Sequence, residues 1–147
     1  MTTRLLALID RFRRARIVVI GDLVADEFIY GRLSRVSREA PVLILEYDTT
    51  EIVPGGAGNA AANVAALGGK VTLAGVAGRD QAGDRLVDAL KARGVTLTLS
   101  RPKGASTTVK TRLLAGGAHW VKQQIVRIDR QGGGASKPAV VRDVIMR

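Results

Sequence analysis

Residues 16–22 read Arg-Ile-Val-Val-Ile-Gly-Asp. Four branched apolar side chains in succession suit a strand covered on both faces. The Gly-Asp that follows places Asp22 at its carboxyl end, where open α/β sheets bind ligands. This stretch is expected to be a buried central strand. Toward the amino terminus, residues 3–14 set Leu5, Leu8, Ile9 and Phe12 on one helical stripe, with Arg11, Arg13 and Arg14 off it. That is an amphipathic helix expected to dock on something larger. On the other side, residues 27–30 and 42–47 are two β-like runs around the polar turn 34–38, with Pro41 opening the second. They predict a small antiparallel flap.

Further along, Pro54-Gly-Gly-Ala-Gly58 is a glycine loop leading into an Ala-rich helix over 59–67, stopped by Gly68-Gly69. Residues 70–76 read as a strand and 81–93 as a helix with Leu86, Val87 and Leu90 inward and Gly94 ending it; 95–99 is a further strand. The β-α-β-α-β order with short connections predicts a parallel sheet covered by helices. Residues 107–114 and 120–128 then alternate as two paired strands around Gly116-Gly117. Gln131-Gly-Gly-Gly-Ala-Ser-Lys-Pro138 is linker-like, and residues 139–147 begin another element. Two interior helices and one leading helix are too few to cover both faces of such a sheet, so the fold is expected to be incomplete.

A chain of 147 residues can bury a core without staples. It has no cysteine, which excludes thiol chemistry, zinc ribbons, iron–sulfur ligation and disulfides, and favours a cytoplasmic address. One histidine, His119, cannot build a His-rich metal site, and no G-x-S-x-G elbow accompanies it. Apolar runs fall short of the roughly 20 residues of a membrane span, and the first residues lack the pattern of a signal peptide. No membrane partner is expected.

The net charge of +10 is unevenly spread: 8 basic against 5 acidic residues in 1–40, 5 against 6 in 41–100, and 10 against 2 in 101–147. In that last third the single aromatic is Trp120, and no nucleic-acid motif accompanies it. A small phosphorylated ligand needs the same field over less area, and suits the pattern better than nucleic acid.

The glycine loop admits three readings. Gly55, Gly56 and Gly58 let backbone approach a ligand at a helix amino terminus, with Asn59 ready to bond a hydroxyl, or they make only a tight connection. Gly56-Ala-Gly-Asn-Ala-Ala61 also matches a dinucleotide fingerprint with Asp80 as its acid, yet the segment before it is not the buried strand such a fingerprint leaves. Asp22 and Asp26 either grip a substrate hydroxyl or serve as turn cap and solvated residue. Lys110, Arg112, Lys122 and Arg127 alternate with apolar residues, as they would facing one pocket or facing solvent. Trp120 and Tyr47 read as packing residues and His119 as a hairpin residue.

Taken together, Ile17-Val-Val-Ile-Gly-Asp22 with Asp26, Tyr30-Gly31, Ser34-Arg-Val-Ser-Arg-Glu-Ala-Pro41-Val, the run from Pro54 through Asn59 and Asn63 to Gly68, and Gln123-Gln-Ile-Val-Arg-Ile-Asp129 resemble the ribokinase/PfkB carbohydrate kinases. The match is closest to the D-glycero-β-D-manno-heptose 7-phosphate kinase branch and covers about residues 16–130. Arg38 departs from it, standing where that branch usually has proline. The resemblance implies a three-layer ribokinase-like α/β fold with a small β lid, its strands at about 26–47 and 107–128. Residues 1–130 are then the amino-terminal part of the kinase domain, and 131–147 a divergent tail.

The resemblance further implies that Asp26, Gly55, Gly56 and Asn59 contact the sugar. Lys110, Arg112 and Arg127 fall on family-like basic positions, and their charge suits a sugar phosphate. It implies MgATP as the cofactor of the whole enzyme and phosphoryl transfer to an anomeric hydroxyl. The family's carboxyl-terminal half, with its G-x-G-D anion hole, catalytic aspartate and ATP pocket, is not found in this sequence. The chain is therefore expected to be a sugar-binding half with no catalytic residue, no metal site and no tight nucleotide binding, and a homodimer through its lid. A non-catalytic sugar-phosphate binding or dimerisation module is the second hypothesis, and a dinucleotide-binding domain the third.

Overall fold

The computed structural model of the chain describes residues 2–116, 121–133, 142 and 146. Helix α1 (Thr2–Arg11) runs through a 3-10 turn, Phe12–Arg14, into β1 (Arg16–Ile20). Two long strands follow, β2 (Leu23–Val36) and β3 (Leu43–Gly56), then α2 (Ala57–Ala66), β4 (Lys70–Val76), α3 (Gln81–Ala92), β5 (Thr96–Ser100), β6 (Thr108–Gly116) and β7 (Gln123–Arg130). The strands form a three-stranded parallel sheet, β1-β4-β5, and a four-stranded sheet, β3-β2-β6-β7.

The α/β class expected from the sequence is what the structure has. Gly68 (φ 85°) and Gly94 (φ 77°) lie just past α2 and α3 in the left-handed region, where a side chain would be strained, and this stops both helices where the sequence places their ends. Leu73 of β4 and Leu86 and Leu90 of α3 are fully buried. They join Ala61 of α2, Leu23 and Ala25 of β2, Ile52 of β3 and Val109 of β6 in one cluster. Both sheets thus share a core, with α2 and α3 between them.

Several expectations need correcting. Residues 16–20 are not a buried central strand: among the described residues β1 pairs with β4 alone, at the sheet's edge, and Val18 and Ile20 are 65% and 70% exposed. The run of branched side chains specified a strand, but burial depends on neighbours, and α2 and α3 lie against the opposite face, where Leu73 and Val71 are buried. Among the described residues nothing covers that outer face, so the fold is present only in part, as the small number of helices leads one to expect. The leading helix is likewise not docked along its stripe, since Leu8, Ile9 and Phe12 remain exposed.

Pro54, Gly55 and Gly56 are no loop but the end of β3, and α2 begins directly at Ala57. The flap and the late pair of strands are not separate units: β2 and β6 run parallel, from Val24 opposite Thr108 to Arg32 opposite Gly116, and fuse the two pairs into one sheet. Residues 131–133 are no free linker, because Gly132 N–H donates to Thr108 Oγ1 and Gly133 N–H to Ser106 Oγ. Tyr47 does not pack inside but is 67% exposed. His119, Trp120 and residues 134–141 lie outside the described residues, as does most of 142–147. Among the described residues no helix is long and apolar enough to cross a membrane.

Candidate functional site

Side chains alternate across a strand, so β2 sends Asp26, Phe28 and Tyr30 to the face of the lid sheet opposite Ala25, which is buried in the core. In the β2–β6 register Asp26 stands beside Lys110 and Phe28 beside Arg112. In β7 Asp129 faces Lys110 and Arg127 faces Arg112. The structure therefore brings Asp26, Lys110, Arg112 and Arg127 to one surface.

Every one of these cations holds a carboxylate. Arg112 Nη1 donates to Asp26 Oδ1 at 2.6 Å, with both side chains about a fifth exposed at 21% and 23%. Its guanidinium also lies 5.2 Å from the centroid of the Phe28 ring. Asp129 is shared by Lys110, at 3.4 Å, and Arg127, at 2.9 Å. Lost hydration pushes the Asp129 carboxyl up, but the Lys110 ammonium and the Arg127 guanidinium outweigh it and hold the group below the usual carboxylate range. Farther out, Lys122 lies over the Tyr30 ring and pairs with Asp48, which also accepts from Arg32.

The glycines act through proximity. A Cβ on Gly55 would stand 2.5 Å from Asp26 Oδ2, so the carboxylate rests against bare backbone there. Gly56 (φ 56°) has the carbonyl oxygen of Asp22 2.6 Å from where its Cβ would be, and Ala57 N–H donates to that same oxygen. It serves the crossing from lid to helix. Asn59 sits in the first turn of α2, where its Oδ1 and carbonyl oxygen both accept from Asn63 Nδ2. It opens into a cleft of about 350 Å³ with Val53, Pro54 and Arg93. A second cleft, of about 250 Å³, lies at the carboxyl ends of the parallel strands between Asp22, Val76, Thr108 and Lys110.

Asp80, the acid that a dinucleotide fingerprint would need, is employed otherwise in the structure. Its carboxylate caps α3 by accepting from Gly83 N–H, and takes both the N–H and the Oγ1–H of Thr107 at 2.7 Å. Thr107 Oγ1 accepts in turn from Gly78 N–H. Burial raises the Asp80 carboxyl, and the Thr107 and Gly83 donors together with Arg101 more than offset that, leaving it below its ordinary range. The fingerprint fails on topology too, because α2 leaves an antiparallel lid strand rather than a parallel one. Sequence reasoning missed Thr107, Phe28 and Asp129 as parts of this site. The bond from Gly83 to Asp80 is local, but Thr107, the other partner of that carboxylate, lies 27 positions away, beyond the reach of any local signal.

A family model described as pfkB family carbohydrate kinase matches residues 14–128. The chain belongs to this family. Among curated PfkB-related proteins, Bifunctional protein HldE of Halorhodospira halophila is 44% identical over 122 residues, 83% of this chain and 24% of that protein. HldE of Gluconobacter oxydans is 46% identical over 125 residues, 83% and 25%. The chain thus spans about a quarter of the length of these relatives.

Among solved structures, a carbohydrate kinase from Agrobacterium tumefaciens aligns with TM-score 0.59 at 22% identity, over 79% of this chain and 35% of that one. The ribokinase of Giardia lamblia aligns at 0.58 and 19%, over 90% and 41%. The ribokinase of Cryptococcus neoformans, solved in complex with ADP, aligns at 0.50 and 26%, over 80% and 34%. The ribokinase-like fold is therefore present in part. Among the described residues no group of three or more His, Cys, Asp and Glu side chains is placed to hold a metal ion.

Proposed function

We propose that this chain is the acceptor-binding part of a sugar kinase and that its ligand is a sugar phosphate, heptose 7-phosphate by resemblance to the HldE proteins. The observation that carries this reading is the single lid face on which Asp26 lies beside Lys110, Arg112 and Arg127. A carboxylate resting on glycine backbone suits sugar hydroxyls, and three cations within reach suit a phosphate. Asn59 and Gly56 would border the ring from the helix side.

In the whole protein the reaction would be phosphoryl transfer from MgATP to the anomeric hydroxyl, the nucleotide supplying the phosphoryl group and its metal the charge balance. The residues of this chain would orient the acceptor and exclude water from it. The base and the nucleotide pocket belong, in this reading, to a part of the fold outside residues 14–128. Calorimetric titration tests it: heptose 7-phosphate should bind the chain saturably and ATP should not. Asp26→Ala or Asn59→Ala should each cost about 1–3 kcal/mol of sugar-phosphate binding, through the polar groups left unpaired. Tight ATP binding, or sugar-phosphate binding indifferent to both changes, would overturn it.

The lid also favours self-association. All of β7 is exposed, among the described residues it pairs with β6 alone, and Ile125, Val126 and Ile128 are exposed. An edge of this kind suits a second copy of the same lid.

A further inference from the structure

We propose that the Arg112–Asp26 ion pair selects for phosphorylated sugars, because the carboxylate becomes free for sugar hydroxyls only when an anion on the ligand takes the guanidinium over. The inference rests on the sugar-phosphate reading above and adds a specificity device to it.

Three observations carry it. First, Asp26 is already engaged: Oδ1 accepts from Arg112 at 2.6 Å, while Oδ2 lies over the bare Gly55 backbone, 2.5 Å from where a Cβ would stand. A hydroxyl approaching this carboxylate meets Arg112 as its competitor. Second, the three cations are unequal. Lys110 and Arg127 share Asp129, across the sheet from β2, whereas Arg112 is paired with the carboxylate that the sugar needs. Third, Arg112 is tethered independently of Asp26, by the Phe28 ring and by a hydrogen bond to the carbonyl oxygen of Lys110 at 3.3 Å. It can exchange its anion and stay in place.

A neutral sugar must then open a partly enclosed ion pair and leave the guanidinium without a counter-anion, and such a charge is costly. A sugar phosphate restores what it removes, since a phosphate offers guanidinium a bidentate partner at least as good as a carboxylate. Binding at the phosphate end therefore assists binding at the hydroxyl end. The coupling is reciprocal, so a free anion should help a neutral sugar.

The test is calorimetric titration of the 147-residue chain with the heptose, its 7-phosphate and inorganic phosphate. Saturating inorganic phosphate should tighten the heptose by about 5- to 10-fold. In Arg112→Met this help should vanish, the heptose alone should bind at least as well as to the unaltered chain, and the preference for the 7-phosphate should fall by about 10-fold or more. Asp26→Asn provides a readout that needs no sugar: with its competitor gone, Arg112 should bind inorganic phosphate several-fold more tightly.

The selector is overturned if inorganic phosphate leaves heptose affinity unchanged or weakens it, or if Arg112→Met keeps the preference. Should Arg112→Met fail to fold, judged by circular dichroism, the phosphate effect in the unaltered chain and the Asp26→Asn titration decide the matter. If the 7-phosphate does not bind the unaltered chain at all, the sugar-phosphate reading itself falls. If it binds without the coupling, the selector alone falls.

Discussion

At Gly55 an added methyl group runs into the Asp26 carboxylate, and the nearest backbone atom, the Val24 carbonyl oxygen, is 3.2 Å away. The side chain can swing aside more readily than the strand, so Gly55→Ala should fold with a loss of about 1 kcal/mol or less. It should nevertheless bind sugar phosphate about 10-fold more weakly, because the carboxylate no longer sits over bare backbone. Thermal melts alongside titrations check both halves. Gly56→Ala should behave oppositely: with φ at 56° and the Asp22 carbonyl oxygen in the way, it should lose about 1–3 kcal/mol of stability. Close approach of backbone was legible at both glycines from sequence. What approaches was not, because Asp26 precedes Gly55 by a whole hairpin and nothing in the spacing reveals which residues of β2 stand opposite.

Helix α3 depends on its amino-terminal cap more than on anything in its own exposed face. Asp80→Ala removes the bond to Gly83 and both bonds to Thr107, and should cost about 1–3 kcal/mol. The pH dependence follows from the direction of the shift. The folded carboxyl lies below its ordinary value of 3.8, so its contribution is complete above that value and is lost as pH falls through the lower, folded one. Asp80→Asn should accordingly flatten this part of the acid limb in a stability-against-pH series. Deeper in the same helix, Leu86→Ala should cost about 2–5 kcal/mol in denaturant unfolding, since that side chain is wholly buried. Helices and their stops were legible because 3.6-residue periodicity and Gly68 and Gly94 are local signals. That some face of the sheet would lack cover was legible from the number of helices, but that it would be the Val18 and Ile20 face of β1 was not, as four branched residues in a row carry no mark of which face a layer covers.

As a whole the molecule joins a parallel α/β sheet to a lid whose outermost strand, among the described residues, has a neighbour on one side alone. Light scattering should find dimers at high concentration, and Ile128→Lys, which charges an exposed side chain of β7, should shift the chain toward monomer. A strictly monomeric chain would count against pairing through the lid. The lid also joins strands distant in sequence: the Glu27–Thr111 hydrogen bond links residues 84 positions apart. The β2–β3 hairpin can close from neighbouring residues, but the inner edge of β2 waits for β6. At about 5–20 residues per second, synthesis leaves that edge bare for several seconds after the hairpin has left the ribosome. Loop closure over such a span also makes refolding slow relative to helix formation. During that interval the nascent hairpin is a template for whatever strand arrives first, so the yield of native protein in a cell depends on the timing of translation as well as on the stability of the finished fold.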